Sequence, residues 1–241
     1  MLLALLALDA TAITPPATGA VALPGGVDLT LPFPDETPVR VSCGYGPGCS
    51  VFHSGTNAPG STNDYHALDL VRDQAGGGDG LPVVAAFSGT VVYADWATGG
   101  WSTFGRIVLI EHDLGDGHTY MSLYAHLSSL SVSAGEVVAD KDEVGTMGGS
   151  GNFGDNYFTP HLHFSLYRDA AFAGGPYGGN AVVPELIDGY GDLVQGDLLV
   201  AGPGAGSVSA VIVDNSDPGF ALSGPATQHN SGGYRSSFWY E

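Results

Sequence analysis

Positive charge is scarce in this chain. Among 241 residues there are 6 Lys and Arg against 25 Asp and Glu, which gives a formal net charge of −19. Proteins that bind DNA or RNA need a basic surface to hold phosphates, so this composition argues against a nucleic-acid partner. It favours instead a protein with an acidic, well-solvated surface.

The sequence also lacks a long apolar run and any stretch of helical periodicity. Residues 1–8 are apolar but too few to span a bilayer. They are typical of the apolar part of a secretion signal, and small residues follow them. We therefore expect a signal-like segment over residues 1–20, no membrane span, and a protein that is secreted or held in the periplasm or cell envelope.

Only two cysteines are present, Cys43 and Cys49, and they bracket the turn-forming sequence Gly-Tyr-Gly-Pro-Gly. A structural zinc site built on cysteine needs a second pair, which does not exist here. In an exported protein this spacing predicts a disulfide. Closing so short a loop stabilises the fold by roughly 2 kcal/mol in the chain-entropy model.

Short β-rich segments separated by turn residues fill most of the chain, which has 38 Gly and 15 Pro. This pattern predicts an all-β fold, an antiparallel sheet or sandwich. Strands are expected at residues 83–86, 90–94, 106–112 and 119–126, and a short hairpin at 137–138 with 144–145. The expected organisation is a signal-like segment (1–20), a linker (21–37), a β domain (38–172), a glycine-rich linker (173–207) and a partial β module (208–241).

His161 and His163 stand two residues apart in the run Pro-His-Leu-His-Phe-Ser-Leu. Side chains two apart on a strand share a face, so both imidazoles lie on one side while Leu162 and Phe164 enter the core. Two adjacent imidazoles suit one metal ligand and one proton-transfer group. The other interpretation is a half-buried strand that carries two histidines by chance.

A hydrolytic zinc site needs about three protein ligands and one open position. Asp69 interrupts an alternating apolar segment, where a carboxylate is costly unless it is paired or bound to metal. The alternative for Asp69 is an exposed position at a strand end. His126 ends a predicted strand, and its alternative is a half-buried histidine of the core.

Four segments then occur in the order found in a known family. They are Leu-Pro-Val-Val-Ala-Ala with Ser-Gly-Thr-Val (81–91), Tyr-Ala-His-Leu-Ser (124–128), the glycine-rich turn at 144–152, and Pro-His-Leu-His-Phe (160–164). Together they resemble the lysostaphin/LytM-type and β-lytic zinc endopeptidases, which cut peptide bridges in bacterial cell walls. The resemblance covers roughly residues 40–170.

The resemblance implies an antiparallel sheet with a long open groove, of the duplicated-hybrid-motif barrel type, over the β domain. It implies a Zn²⁺-dependent endopeptidase acting on peptidoglycan cross-bridges. Asp69 and His163 would be zinc ligands in such an enzyme. His126 and His161 would be the catalytic histidines that do not bind the metal, serving as general base and transition-state stabiliser.

The first zinc ligand departs from the lysostaphin-type pattern, which has a His four residues before the Asp. Tyr65 occupies that position, and His66 is three residues before Asp69. On a strand, that odd separation places His66 and Asp69 on opposite faces. The β-lytic pattern has its first His further upstream across a loop, which fits His53, so we favour His53 and keep His66 as the alternative.

Two other functions are compatible with the sequence. One is a non-catalytic cell-wall-binding or amidase-activating module of the same fold, of the kind that arises by ligand loss. The other is a secreted adhesion or carbohydrate-binding β protein. In the tail, residues 213–220 and 232–234 weakly resemble the start of a golvesin-type β module.

Overall fold

The structure, a computed structural model, describes residues 21–48, 50, 53, 64–73, 78–202, 227–229 and 238–240. The signal-like segment, Cys49 and residues 213–220 lie outside this range. The disulfide and the golvesin-like element therefore stay predictions. Among the described residues, no helix is long and apolar enough to cross a membrane.

Strands account for nearly all the regular structure of the described residues. They are β1 (Pro38–Cys43), β2 (Leu68–Arg72), β3 (Pro82–Val84), β4 (Gly89–Trp96), β5 (Arg106–Asp113), β6 (Thr119–Leu130), β7 (Val137–Val138), β8 (Glu143–Met147), β9 (Leu162–Arg168), β10 (Ala171–Phe172), β11 (Pro176–Tyr177), β12 (Asn180–Val182), β13 (Leu198–Val200), β14 (Thr227–His229) and β15 (Phe238–Tyr240). One 3-10 helix spans Gly99–Phe104.

Eleven strands form one sheet, whose main path runs β13-β1-β2-β9-β6-β5-β4-β7. Strand β8 joins β3 to β6, and β12 pairs with β9. Every pair of named strands in the described residues is antiparallel. The predicted fold class is therefore confirmed. Strands β14 and β15 pair with each other inside a second compact unit, Ser207–Glu241.

The predicted hairpin between 137–138 and 144–145 is wrong. Strand β7 pairs with β4, while β8 pairs with β3 and β6. The segment between β7 and β8 is held by Ala85, whose N–H donates to Asp142 O (2.8 Å) and whose carbonyl accepts from Lys141 N (3.0 Å). These bonds draw the connection towards the end of β3, so the two short strands meet different neighbours.

Described residues in both segments expected as linkers, 21–37 and 173–207, belong to the core or to the main sheet. Leu29, Leu31 and Phe33 are buried in the main core, within residues 21–37. In the second segment, β12 pairs with β9 and β13 pairs with β1. The glycine and proline content of these two segments indicates an irregular backbone, which is why they were expected to be linkers. Burial of a few apolar side chains is nevertheless enough to hold such a segment in the fold.

Replacing Phe33 by Ala tests whether residues 21–37 belong to the fold. Phe33 has no exposed surface, so its truncation leaves a cavity and should lower the free energy of unfolding by about 3–5 kcal/mol. Chemical denaturation of the full chain measures this loss. Phe153→Ala is the matched control, because Phe153 is 79% exposed and should change stability by less than about 0.5 kcal/mol. Equal stabilities for the two variants would make residues 21–37 a linker after all.

The two faces of strand β9 meet different surroundings. Leu162, Phe164 and Leu166 lie in the main core, which is the larger of two clusters of buried apolar side chains, as the sequence alternation predicts. The opposite face presents His163 and Ser165, both of which are buried, together with Tyr167. Tyr167 belongs to the smaller cluster, which also includes Trp101 and Leu123. The candidate site is built on this second face.

Candidate metal centre

Strand pairing brings the main site residues together from distant parts of the chain. In the sheet, β9 lies between β2 and β6, and His163 is directly opposite Asp69 on one side and Ala125 on the other. Residues opposite each other on antiparallel strands have Cβ atoms about 4.5–5.5 Å apart. His163 and Asp69 are therefore neighbours because of register, although 94 residues separate them.

A single carboxylate oxygen of Asp69 contacts two histidine rings. Asp69 Oδ1 lies 2.9 Å from His163 Nδ1 and 3.2 Å from His53 Nε2. Burial alone would raise the pKa of Asp69. Hydrogen bonds from His163 and His53 outweigh burial and hold that pKa well below its usual value. The carboxylate is thus kept ionised between two imidazole nitrogens.

A backbone carbonyl contacts the ring of His53 on the edge that points away from Asp69. Its Nδ1 lies 2.7 Å from Gly44 O, and its side chain is 1% exposed. A carbonyl only accepts, so Nδ1 carries a proton, and the other ring nitrogen, Nε2, faces the carboxylate of Asp69. Cys43 Sγ lies 3.5 Å from the same Nδ1. Donor atoms of Cys43, His53 and Asp69 are all within 4.8 Å of one another.

His66, the alternative first ligand, has different surroundings. Its ring contacts those of Tyr45 and Tyr65, with centroids 5.3 and 4.9 Å away. Its Nδ1 is buried with no hydrogen-bond partner among the described residues. Burial lowers the pKa of His66 to about 4. In the structure it is His53, and not His66, whose ring nitrogen meets Asp69.

The Nε2 edge of the His163 ring, opposite Asp69, faces a row of buried polar side chains. His163 Nε2 lies 2.8 Å from Asp64 Oδ2, although the two groups are not aligned as a hydrogen bond. Tyr167 donates its hydroxyl proton to Asp64 Oδ1 at 2.6 Å, and Ser165 Oγ lies 2.9 Å from that hydroxyl. Burial lowers the pKa of His163, but the two carboxylates outweigh burial and raise it to about 10.

A bulge in β6 turns His126 into the site. Leu123 and Ala125 pack in the smaller cluster, whereas Tyr124 and Leu127 pack in the larger one. Strict alternation would put Leu127 on the face of Ala125, so one extra residue has entered the strand, where the pairing with β5 shifts register. His126 is that extra residue, and its φ of 63° is in the left-handed region.

His126 is fixed by a carbonyl and by aromatic rings. Its Nδ1 lies 2.8 Å from Ser150 O, its ring stacks on Phe104 (centroids 5.7 Å, interplanar angle 9°), and Phe158 lies 4.6 Å away edge-on. Burial, with the nearby His161 and His163, lowers the pKa of His126 well below its usual value. The imidazole is therefore neutral, with its proton on Nδ1 and a lone pair on Nε2.

Ser150 can approach because Gly105 has no side chain. A Cβ at Gly105 would stand 2.4 Å from the Ser150 backbone carbon, and the φ of +66° at Gly105 also favours glycine. In this close contact, Arg106 N donates to Ser150 Oγ at 2.9 Å. The glycine-rich turn that contains Ser150 is thereby locked beside His126.

His161 stands at the edge of the same group. Its Nδ1 lies 2.7 Å from Thr159 O, and its Nε2 is 3.8 Å from Asp69 Oδ1. Its ring centroid is 4.6 Å from that of His126. Burial lowers the pKa of His161, despite the opposing charge of Asp69. His161 therefore resembles His126, a neutral imidazole whose Nε2 is free to accept a proton.

These side chains line one cleft of about 320 Å³. Its wall includes Asp69, His126, His161 and His163, with Phe104 and Phe158 beside them. His53 is fully buried behind the cleft. On one side of the site are the buried imidazoles of His53 and His163 and the carboxylate of Asp69, a set of candidate metal ligands. On the other side are the two neutral imidazoles of His126 and His161.

Three contributors to this site are absent from the sequence-based list. Asp64 lies against His163, Tyr167 donates a hydrogen bond to Asp64, and Phe104 stacks on His126. Tyr167 could have been found from the sequence, since period-two alternation places it on the face of His163. No local pattern indicates the positions of Asp64 or Phe104 in space.

The chain is similar in sequence to known proteins. The model of peptidase family M23 matches residues 74–182. The chain is 32% identical over 90 residues to lipoprotein NlpD of Yersinia enterocolitica, covering 37% of this chain and 80% of that protein. It is 36% identical over 93 residues to the murein hydrolase activator EnvC of Escherichia coli, covering 39% of this chain and 19% of EnvC.

Among solved structures, the catalytic domain of lysostaphin from Staphylococcus simulans is similar at 25% identity. The match covers 56% of this chain and 84% of that one, with a TM-score of 0.38. Against four of the curated relatives, the chain spans only 15–26% of the relative's length. The match over most of NlpD, together with the family model, shows that the chain belongs to peptidase family M23.

Proposed function

We propose that this protein is a zinc-dependent endopeptidase that hydrolyses peptide bonds in the cross-bridges of bacterial peptidoglycan. The observation that carries the proposal is the cluster around Asp69 Oδ1, which has His163 Nδ1 at 2.9 Å and His53 Nε2 at 3.2 Å. His126 and His161 line the same cleft. Ligand candidates and proton-transfer candidates thus occur side by side.

The donor set fits zinc. Structural and catalytic zinc sites use imidazole nitrogen and carboxylate oxygen, and catalytic sites keep three protein ligands. Asp69, His53 and His163 supply one oxygen and two nitrogens. Cys43 is not needed, and its predicted disulfide with Cys49 would occupy the sulfur.

Zinc, when bound, would polarise the scissile carbonyl and lower the pKa of a water molecule to about 7. The chain itself must then take up and return a proton. His161 and His126 suit this role because each donates Nδ1–H to a backbone carbonyl, which leaves Nε2 as the proton acceptor. Either imidazole, once protonated, can donate to the leaving amine or to the developing oxyanion.

Peptidoglycan lies outside the cytoplasmic membrane, so this function places the protein in an exported compartment. That location agrees with the signal-like residues 1–20 of the sequence. A cleft of about 320 Å³ suits a short, flexible peptide, such as a cross-bridge rich in glycine. Partners of this chain are therefore peptidoglycan peptides rather than nucleic acids.

A non-catalytic role is the second candidate, and the similarity to the activator EnvC favours it. An activator acts through its surface and has no need of clustered metal donors or neutral imidazoles. The intact group of Asp69, His53 and His163, with His126 and His161 beside it, therefore supports the enzyme.

The decisive measurement combines metal content and hydrolysis. Purified full-length protein should contain about one zinc per chain and should release soluble peptides from isolated sacculi, whereas His163→Ala should do neither. A protein that binds sacculi without zinc and without cleavage would establish the non-catalytic role. Cleavage that survives complete removal of metal by a chelator would contradict the zinc mechanism.

A further inference from the structure

We propose that Asp64 and Tyr167 are positioning residues for His163, holding its imidazole in the tautomer that presents Nδ1 to the metal. This inference rests on the zinc site proposed above and adds two residues behind one ligand. Neither residue touches the cleft that the substrate would enter. Their effect on chemistry would therefore pass through His163.

The side chains behind His163 contact one another in a buried series. Asp64 Oδ2 lies 2.8 Å from His163 Nε2, and Tyr167 donates to the other carboxylate oxygen, Oδ1, at 2.6 Å. Ser165 Oγ lies 2.9 Å from the Tyr167 hydroxyl. The side chains of Asp64 and His163 are each 3% exposed, so bulk water does not compete for these groups.

The position of the proton on His163 follows from its two neighbours. Both Asp64 Oδ2 and Asp69 Oδ1 are carboxylate oxygens, which only accept hydrogen bonds when ionised. With a metal bound at Asp69, Nδ1 must offer a lone pair, so the single ring proton belongs on Nε2. A carboxylate 2.8 Å from Nε2 stabilises that tautomer and makes Nδ1 a better ligand.

Tyr167 in turn fixes the carboxylate. A buried carboxylate is costly unless its oxygens are paired, and Asp64 Oδ2 has no aligned hydrogen bond in the described structure. The Tyr167 hydroxyl satisfies Oδ1 and thereby directs Oδ2 towards His163. Since β9 carries His163, Ser165 and Tyr167 on one face, ligand and support share a rigid strand.

Zinc affinity of the full-length protein, measured by competition with a chromophoric chelator, tests this inference. Asp64→Asn removes the charge and can turn an amide N–H towards Nε2, so we expect zinc binding about 10–100-fold weaker than wild type. Tyr167→Phe keeps the ring and should weaken binding roughly threefold to tenfold.

Matched controls separate positioning from general damage. Asp188→Asn alters another buried carboxylate, which accepts from Leu31 N and Gly202 N, and Tyr124→Phe removes another buried hydroxyl. Both controls should leave zinc affinity within about twofold of wild type. Thermal unfolding of each metal-free variant checks that it folds, and Tyr167→Phe decides the question if Asp64→Asn does not fold.

The tautomer itself provides a readout that a purely structural role would not move. In the zinc-bound wild type, ¹⁵N NMR of the His163 ring should show a protonated Nε2, and Asp64→Asn should weaken or reverse that preference. Wild-type zinc affinity with unchanged ring signals in Asp64→Asn would overturn the inference while leaving the zinc enzyme intact. A wild-type protein that binds no zinc would instead overturn the proposed function itself.

Discussion

Asp69→Asn should abolish peptidoglycan hydrolysis, with kcat/KM at least about 10³-fold lower than wild type, and should remove bound zinc. Asp69 Oδ1 lies 3.2 Å from His53 Nε2 and 2.9 Å from His163 Nδ1. An amide carries no charge and can turn its N–H groups towards these nitrogens, so the metal would lose a ligand and its main counter-charge. Zinc content and release of soluble peptides from sacculi measure the two effects.

Asp73→Asn is the control for this substitution. Asp73 follows β2 in sequence and forms an ion pair with Arg40, at 2.7 Å, instead of meeting a histidine. It should keep zinc and full activity, because partly exposed ion pairs contribute little. An Asp69→Asn protein that retained stoichiometric zinc would show that the metal is held by other residues.

His161→Ala and His126→Ala should each lower kcat by about 10²–10⁴-fold while zinc affinity stays within about threefold of wild type. Both imidazoles present a free Nε2 beside the cleft, and each is held by Nδ1–H donated to a carbonyl. Neither provides a metal ligand in our proposal. The loss should therefore fall on proton transfer and charge stabilisation rather than on metal binding.

His118→Ala is the matched control for the histidine substitutions. His118 is 45% exposed and pairs with Asp169 at 2.9 Å. Its removal should change neither kcat nor zinc affinity. Activity that persists in both His161→Ala and His126→Ala would contradict the catalytic roles and favour a binding or activating function. Loss of zinc in either variant would instead make that histidine a ligand.

The sequence by itself determined the fold class and the faces on which the strand residues lie. Period-two alternation fixes the face of each residue on β9, so His163 and Leu162 had to separate as they do. The spacing of apolar segments and turn residues likewise indicated antiparallel strands. Asp69 was recognisable because a carboxylate within an apolar strand needs a partner.

Tertiary structure decided the remaining features. His53 and His66 are both near Asp69 in the chain, but only the structure shows that Nε2 of His53 lies 3.2 Å from the carboxylate while the ring of His66 packs against Tyr45 and Tyr65. The bulge that turns His126 into the cleft depends on pairing between β6 and β5, which no local pattern encodes. Strands β7 and β8 likewise pair with different neighbours despite their proximity in the sequence, and the segment between them is hydrogen-bonded to Ala85. Local alternation specifies which way a side chain points, whereas convergence of distant residues depends on register between strands, which is a property of the whole sheet.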